Sequence, residues 1–177
     1  MRKLLILFIL TPVLFASCNK IKEAAYVNIN TTLSVEIPVE VDTTTTEDKS
    51  ALVSYAFSQS LTESLEENDK VKDYLDLLKK IEVIDVNIKF RGLVGDQMIQ
   101  SVVIELEGVG TLATFTNINP SNMEFTPDIN SSVLVQISNQ LYHTRELTVT
   151  VSGITNKVPM NFVVATYFNL DIEASPL

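Results

Sequence analysis

Apolar and polar residues alternate with a period of two along residues 27–41. The odd-numbered positions are apolar except for a threonine: Val27, Ile29, Thr31, Leu33, Val35, Ile37, Val39 and Val41. A period of two places this set on one face of a long strand. Pro38, on the polar parity, has no backbone N–H to donate. We therefore expect this strand to lie at a sheet edge or to break there.

The same alternation predicts further strands along the chain. They cover residues 53–57, 84–90, 102–106, 111–116, 147–151 and 160–172. Gly92, Gly108 and Gly153 end three of them, and Gly95-Asp96 marks a turn. The last strand is the longest after the first, so the domain begins and ends on long amphipathic strands.

Two stretches have the period of a helix instead. A stripe of Val71, Tyr74, Leu75, Leu78 and Ile81 follows possible caps at residues 64–69, which predicts a helix ending near residue 81. Its charged face is interpreted as solvated surface, with partner docking as the alternative. A second stripe of Val133, Leu134, Ile137 and Leu141 predicts a helix over residues 130–142, capped by Asn130 or Ser131. A strand over residues 133–137 is the alternative.

These elements together predict one mainly β (α+β) domain over residues 26–177. Long strands with one apolar face favour an antiparallel β-sandwich or a curved sheet, with about two helices packed on it.

The amino terminus has the pattern of a leader. Arg2 and Lys3 precede twelve apolar residues, 4–15, and Ala16-Ser17 stands directly before Cys18, the single cysteine of the chain. The apolar run is shorter than the ~20 residues that a membrane-spanning helix needs. The pattern predicts that residues 1–17 are a signal peptide that is removed.

The segment Leu14-Phe15-Ala16-Ser17-Cys18 resembles the lipobox of bacterial lipoproteins, although Phe15 replaces the more usual leucine. The resemblance implies diacylation of Cys18, cleavage before it and a lipidated tether over residues 18–25. Asn19, rather than aspartate, follows the cysteine, which implies the outer membrane. The alternative is a signal peptide cut elsewhere, for example after Ala16, that leaves a free thiol.

The chain from Cys18 onward is acidic. Residues 18–177 number 160, a length typical of a single domain, and carry 22 acidic against 11 basic residues, because two of the 13 basic residues are Arg2 and Lys3. The resulting net charge of about −11 argues against nucleic acid and against adsorption to anionic lipid, which both require basic surface. Membrane attachment must then come from the acyl group.

The sequence gives little support for catalysis. His143 is the single histidine, and the cysteine is assigned to the anchor, so we expect no clustered His/Cys metal site. Residues 108–113 fit the letters G-x-G-x-x-A, but the threonines that follow favour a hairpin or bulge over a dinucleotide site. Asp128, Asn130 and the loop near Asn117 contain oxygen ligands suited to calcium, but solvated loop is the default interpretation. We therefore expect no enzyme activity, no cofactor and no metal.

Two functional hypotheses follow. The first is an anchored, non-catalytic binding or structural module that contacts a protein or glycan through residues 42–50, residues 117–128 or the strand edge near Pro38. The second is a carrier of an apolar ligand, such as a lipid, held between sheet and helices. Asp42-Thr43-Thr44 also looks like a bacterial O-glycosylation sequon. A plain surface loop is the alternative there.

Overall fold

The computed structural model describes residues 26–42 and 54–176. Within these ranges the chain forms eight strands, one α-helix and two 3₁₀ segments. The strands are β1 (Val27–Val41), β2 (Tyr55–Ser64), β3 (Leu78–Arg91), β4 (Ile99–Leu106), β5 (Gly110–Ile118), β6 (Glu124–Phe125), β7 (Glu146–Thr155) and β8 (Met160–Ala174). The helix α1 covers Ser131–Thr144, and the 3₁₀ segments cover Leu65–Glu67 and Lys72–Leu77.

The strands form two four-stranded antiparallel sheets that pack face to face. Sheet A has the order β1-β8-β3-β6, and sheet B has the order β2-β7-β4-β5. The alternating apolar residues of both sheets point inward and form one buried core. The predicted mainly β, antiparallel sandwich is confirmed. Among the described strands, β1 pairs only with β8, so Pro38 lies on an edge strand, as its missing N–H predicted.

The first predicted helix is wrong in type and extent. The chain over residues 65–77 forms the two 3₁₀ segments, and Leu78 and Ile81 already belong to β3, where they pair with Ala174 and Ile172 of β8. The physical reason is that β8 is a 15-residue strand in the interior of the sheet. Its backbone needs a partner on both sides, and this tertiary demand overrides a local helical period.

β3 also contains a bulge that reverses the parity of its side chains. Val83 pairs with Leu170 and Asp85 with Asn169, so Ile84 is an extra residue between them. Val83 and Val86 both point into the core, whereas Ile84 is 51% exposed. The sequence placed Ile84 on the same face as Val86, which is wrong because alternation cannot reveal an inserted residue.

Helix α1 confirms the second predicted helix. The Asn130 side-chain oxygen accepts a hydrogen bond from the Ser132 backbone N–H at 2.9 Å, as an N-cap does. Arg145 ends the helix in the left-handed conformation, with φ 61°. α1 packs on β3 and covers its backbone where the two-residue strand β6 does not reach. An edge that would otherwise be open is thereby closed.

The remaining strands were predicted, but most extend beyond the predicted bounds. β2 continues to Ser64 and β7 continues through Gly153 to Thr155. The short strand β6 was missed because it lies within the stretch interpreted as a loop, residues 117–128. Gly108 and Gly110 have positive φ values of 79° and 106° and connect β4 to β5 as a hairpin, which confirms the hairpin interpretation of residues 108–113.

Candidate functional site

The sandwich has two distinct ends. β1 starts at Val27 beside Ala174, and it finishes at Val41 beside Met160. We call the first of these the anchor end, because the tether predicted from the sequence precedes it. The opposite end carries the connections at residues 92–98, 119–123 and 156–159, and we call it the loop end. Ile99, which pairs with both Ile118 and Thr155, brings these connections together.

The loop end is held in a defined shape by side-chain amides. Asn119 and Asn122 bond the backbone of the β5–β6 connection, and the Asn156 side chain bonds Met98 N–H and Asp96 carbonyl oxygen, each at 2.9 Å. Lys157 forms an ion pair with Asp96, and its hydrogen bond holds the pKa of the Asp96 carboxyl below its usual value. The loops enclose an open groove of about 290 Å³.

A larger groove, of about 420 Å³, lies beside Pro38 on the outer face of sheet A. It is located where β3 leaves the sheet: the β3–β8 pairing stops at Arg91, and the next residue, Gly92, has φ 95°. A Cβ atom at Gly92 would lie 3.2 Å from the Asn161 carbonyl oxygen, so glycine allows the chain to turn against β8. We call this the Pro38 groove. It is lined by Glu36, Pro38, Val39, Glu40, Arg91, Gly92, Asn161, Phe162 and Val163.

An ion pair bounds the Pro38 groove. The guanidinium of Arg91 lies 2.6 Å from a carboxylate oxygen of Glu36, across the intervening strand β8. The Tyr167 hydroxyl donates a hydrogen bond of 3.3 Å to the same oxygen. The hydrogen bond to Glu36, with smaller electrostatic effects of Tyr167 and of the Glu36 charge, raises the pKa of Arg91 above its ordinary value. Ala165, which pairs with Glu36, is fully buried even though it lies on the outer face.

Elsewhere on the outer face of sheet A, polar side chains of neighbouring strands are linked by a series of hydrogen bonds. Thr32 donates to Asn169, and the Asn169 amide donates to Asp85 at 2.7 Å. The Asn87 amide donates to the same Asp85 oxygen, and Thr126 donates to Asn87. The chain of bonds crosses β1, β8 and β3 and reaches the segment after β6. It gives the outer face fixed side-chain positions.

The sequence-predicted sites lie apart from one another. Cys18 and residues 43–50 fall outside the described residues, and Asp42 is the last described residue of its range. Within the predicted loop 117–128, residues 119–123 belong to the loop end, whereas residues 117–118 belong to β5 and residues 124–125 to β6. Pro38 gives the second groove its name. His143 lies in the last turn of α1, shortly before β7, and its ring centroid is 5.4 Å from that of Tyr142. The Asn130 oxygen is engaged in capping α1.

Sequence reasoning reached Pro38 but missed the ion pair beside it. Glu36 and Arg91 are 55 residues apart in the numbering and each stands on the polar parity of an ordinary strand. Only the register, which aligns Pro38 with Val163 and Val163 with Arg91, brings them together.

The inward side of α1 packs on the sheets through buried side chains, and an open groove of about 320 Å³ remains between the outer side of α1 and the start of β3. Ile137 and Leu141 of α1 are fully buried and belong to the same apolar core as the inward residues of β3 and β7. The carrier hypothesis places its apolar ligand in this region. The packing of the described residues gives that hypothesis no support.

Among residues 26–42 and 54–176, no group of three or more His, Cys, Asp or Glu side chains is placed to hold a metal ion. The same part of the chain contains no helix that is both long and apolar enough to cross a membrane.

Comparisons with known proteins give no family. No protein-family model matches the chain, and no curated protein matches it. Among the solved structures that are similar to the chain is one titled Desmodium yellow mottle tymovirus, which matches over 84% of this chain and 84% of its own, with 12% sequence identity and a TM-score of 0.39. A likeness at that level carries no functional argument.

Proposed function

We propose that the chain is a bacterial lipoprotein of the outer membrane, anchored through acylated Cys18, that acts as a non-catalytic binding module of the cell envelope. Its partner is a protein or a glycan. The signal peptide covers residues 1–17 and the lipidated tether residues 18–25.

The observation that carries the proposal is the position of the two ends of the sandwich relative to the predicted tether. The first strand starts at Val27, nine residues after Cys18, and runs the length of the domain to Val41. Fourteen steps of about 3.3 Å make this strand roughly 45 Å long. A domain attached through Cys18 would therefore hold its anchor end at the bilayer. The loop end and the Pro38 groove, at the other end of β1, would face away from it.

The fixed side chains at that distal end support a binding role. The amides of the β5–β6 connection, the Asp96–Lys157 pair and the Glu36–Arg91 pair are all positioned by hydrogen bonds within the protein. Preordered polar groups bind a partner with a smaller entropy cost than mobile ones.

Metabolic labelling with an alkyne analogue of palmitate tests the anchor. Wild-type chain should incorporate the label and fractionate with the outer membrane, whereas Cys18→Ala should incorporate none and leave that fraction. Ser17→Ala, which keeps a small residue before the cysteine, is the matched control and should label like wild type. Equal labelling of wild type and Cys18→Ala would contradict the proposal.

A further inference from the structure

The Pro38 groove is open to solvent and is large enough for a small molecule. Its volume of about 420 Å³ lies within the ~300–1,000 Å³ typical of ligand sites. The Pro38 ring and the Val163 side chain form its apolar floor, since these two residues are direct neighbours across β1 and β8. Glu36, Glu40, Arg91 and Asn161 supply polar groups around that floor.

The charges of the rim restrict the ligand. Two carboxylates, Glu36 and Glu40, stand against one guanidinium, so an anionic ligand meets like charge. A cationic ligand is attracted only weakly, because Arg91 already neutralises Glu36 at 2.6 Å and the remaining carboxylate, Glu40, is a single exposed charge in water. A neutral ligand meets no like charge and leaves the Glu36–Arg91 pair in place.

The rim also requires a ligand that donates and accepts. A carboxylate only accepts hydrogen bonds and a guanidinium only donates them, whereas a hydroxyl group does both. Adjacent hydroxyls of a sugar ring could bond Glu36 and Arg91 at once, through hydrogen bonds strengthened by the charges. The apolar floor suits the C–H face of the same ring.

We propose that the Pro38 groove is a binding site for a neutral saccharide, with Glu36 and Arg91 bonding its hydroxyl groups over the floor formed by Pro38 and Val163. The proposal rests on the proposed function and deepens it, because it names a glycan as the partner and locates the site on the face of sheet A near the distal end.

The test is a titration of the ¹⁵N-labelled full chain in detergent micelles, followed by amide chemical shifts. The probes are glucose, galactose, mannose and N-acetylglucosamine at millimolar concentrations, with acetate as the anionic and spermidine as the cationic comparison. At least one saccharide should shift the Gly92 and Val163 amides in a saturable way. The ionic probes should not.

Matched variants assign the effect to the groove. Arg91→Gln removes the ion pair with Glu36. Lys89→Gln removes a similar exposed ion pair with Glu124, two residues earlier on β3 and outside the groove. Arg91→Gln should weaken saccharide binding at least about tenfold, since a hydrogen bond to a charged group contributes about that factor or more, and Lys89→Gln should leave it unchanged. Glu36→Gln, which removes the charged acceptor for a saccharide hydroxyl, should also weaken binding and provides a second test if Arg91→Gln alters the spectrum throughout the domain.

Three results would overturn the saccharide site: no shift of the lining amides with any of the four sugars, an equal response to acetate or spermidine, or equal loss of binding in Arg91→Gln and Lys89→Gln. None of these affects palmitate labelling of Cys18, so failure of the saccharide site is distinguishable from failure of the anchored module.

Discussion

The hydroxyl of Ser138 in α1 accepts a hydrogen bond of 2.9 Å from the backbone N–H of Val83 in β3. It also donates one of 2.8 Å to the Leu134 carbonyl oxygen within the helix. Val83 stands at the bulge of β3, and its N–H points away from β8, towards α1. A single side chain on a helix therefore satisfies a strand N–H on the side of β3 where no described strand pairs with it.

Replacing Ser138 with alanine should destabilise the domain by about 1–3 kcal/mol, because the buried Val83 N–H would lose its partner. Chemical denaturation monitored by circular dichroism measures the loss. Gln136→Ala, on an exposed position of the same helix, is the control and should change the free energy of unfolding by less than about 0.5 kcal/mol. Similar values for both variants would mean that this bond does not stabilise the edge.

Two fully buried threonines should respond in opposite directions to replacement by valine. The buried Thr166 hydroxyl has no hydrogen-bond partner in the part of the chain that the structure describes, whereas the Thr155 hydroxyl donates to the Lys157 carbonyl oxygen at 3.2 Å. Thr166→Val should stabilise the domain by about 1 kcal/mol, because it removes a hydroxyl that is buried without a compensating hydrogen bond. Thr155→Val should destabilise it by about 1 kcal/mol. Thermal unfolding of the two variants in parallel decides this, and a lower melting temperature for Thr166→Val contradicts it.

Gly153, near the end of β7, should not tolerate a side chain. Its added Cβ would lie 2.8 Å from Cζ of Phe57 and closer still to the Ser101 carbonyl oxygen. Overpacking of this kind costs about 1–3 kcal/mol or more, so Gly153→Ala should lower the midpoint of urea unfolding markedly. Gly95→Ala is a useful comparison, because it has open space and only the strain of φ 61°. We expect Gly153→Ala to be the more damaging variant, and the reverse order would show that the neighbours of Gly153 yield.

The orientation of the domain on a bilayer can be measured with nitroxide labels. Acylation occupies the native cysteine, so a new cysteine can be labelled alone. Ser175→Cys lies at the anchor end, where the Ser175 N–H bonds the Leu77 carbonyl oxygen, and Ser121→Cys lies at the loop end. With the acylated chain in vesicles, relaxation by lipid-phase oxygen should affect the label at residue 175 more than the one at residue 121. An equal effect at both positions would contradict a loop end that faces away from the bilayer.

Much of the fold follows from sequence because the apolar alternation is regular where a strand has one buried face. β1 was predicted with its observed bounds, and the edge position of Pro38 followed from its missing N–H. The segment before β3 could not be predicted in the same way. Its apolar residues fit a helical period, and only the need of β8 for a second neighbour decides that Leu78 and Ile81 extend as strand.

The candidate site was predictable only in part, for a related reason. The sequence identified the loop over residues 117–128 by its polar residues. It identified the edge near Pro38 by the missing backbone N–H of that proline. The Glu36–Arg91 pair depends on the register of three strands, two of which adjoin only through β8. Pattern along one strand carries no information about which charges face each other across a sheet.

The mass of the intact protein purified from membranes tests the central claim most directly. A lipid-anchored module predicts a chain that begins at Cys18, carries acyl groups on that residue and lacks residues 1–17. A mature chain that begins at any other residue, or an unmodified Cys18, would contradict the account.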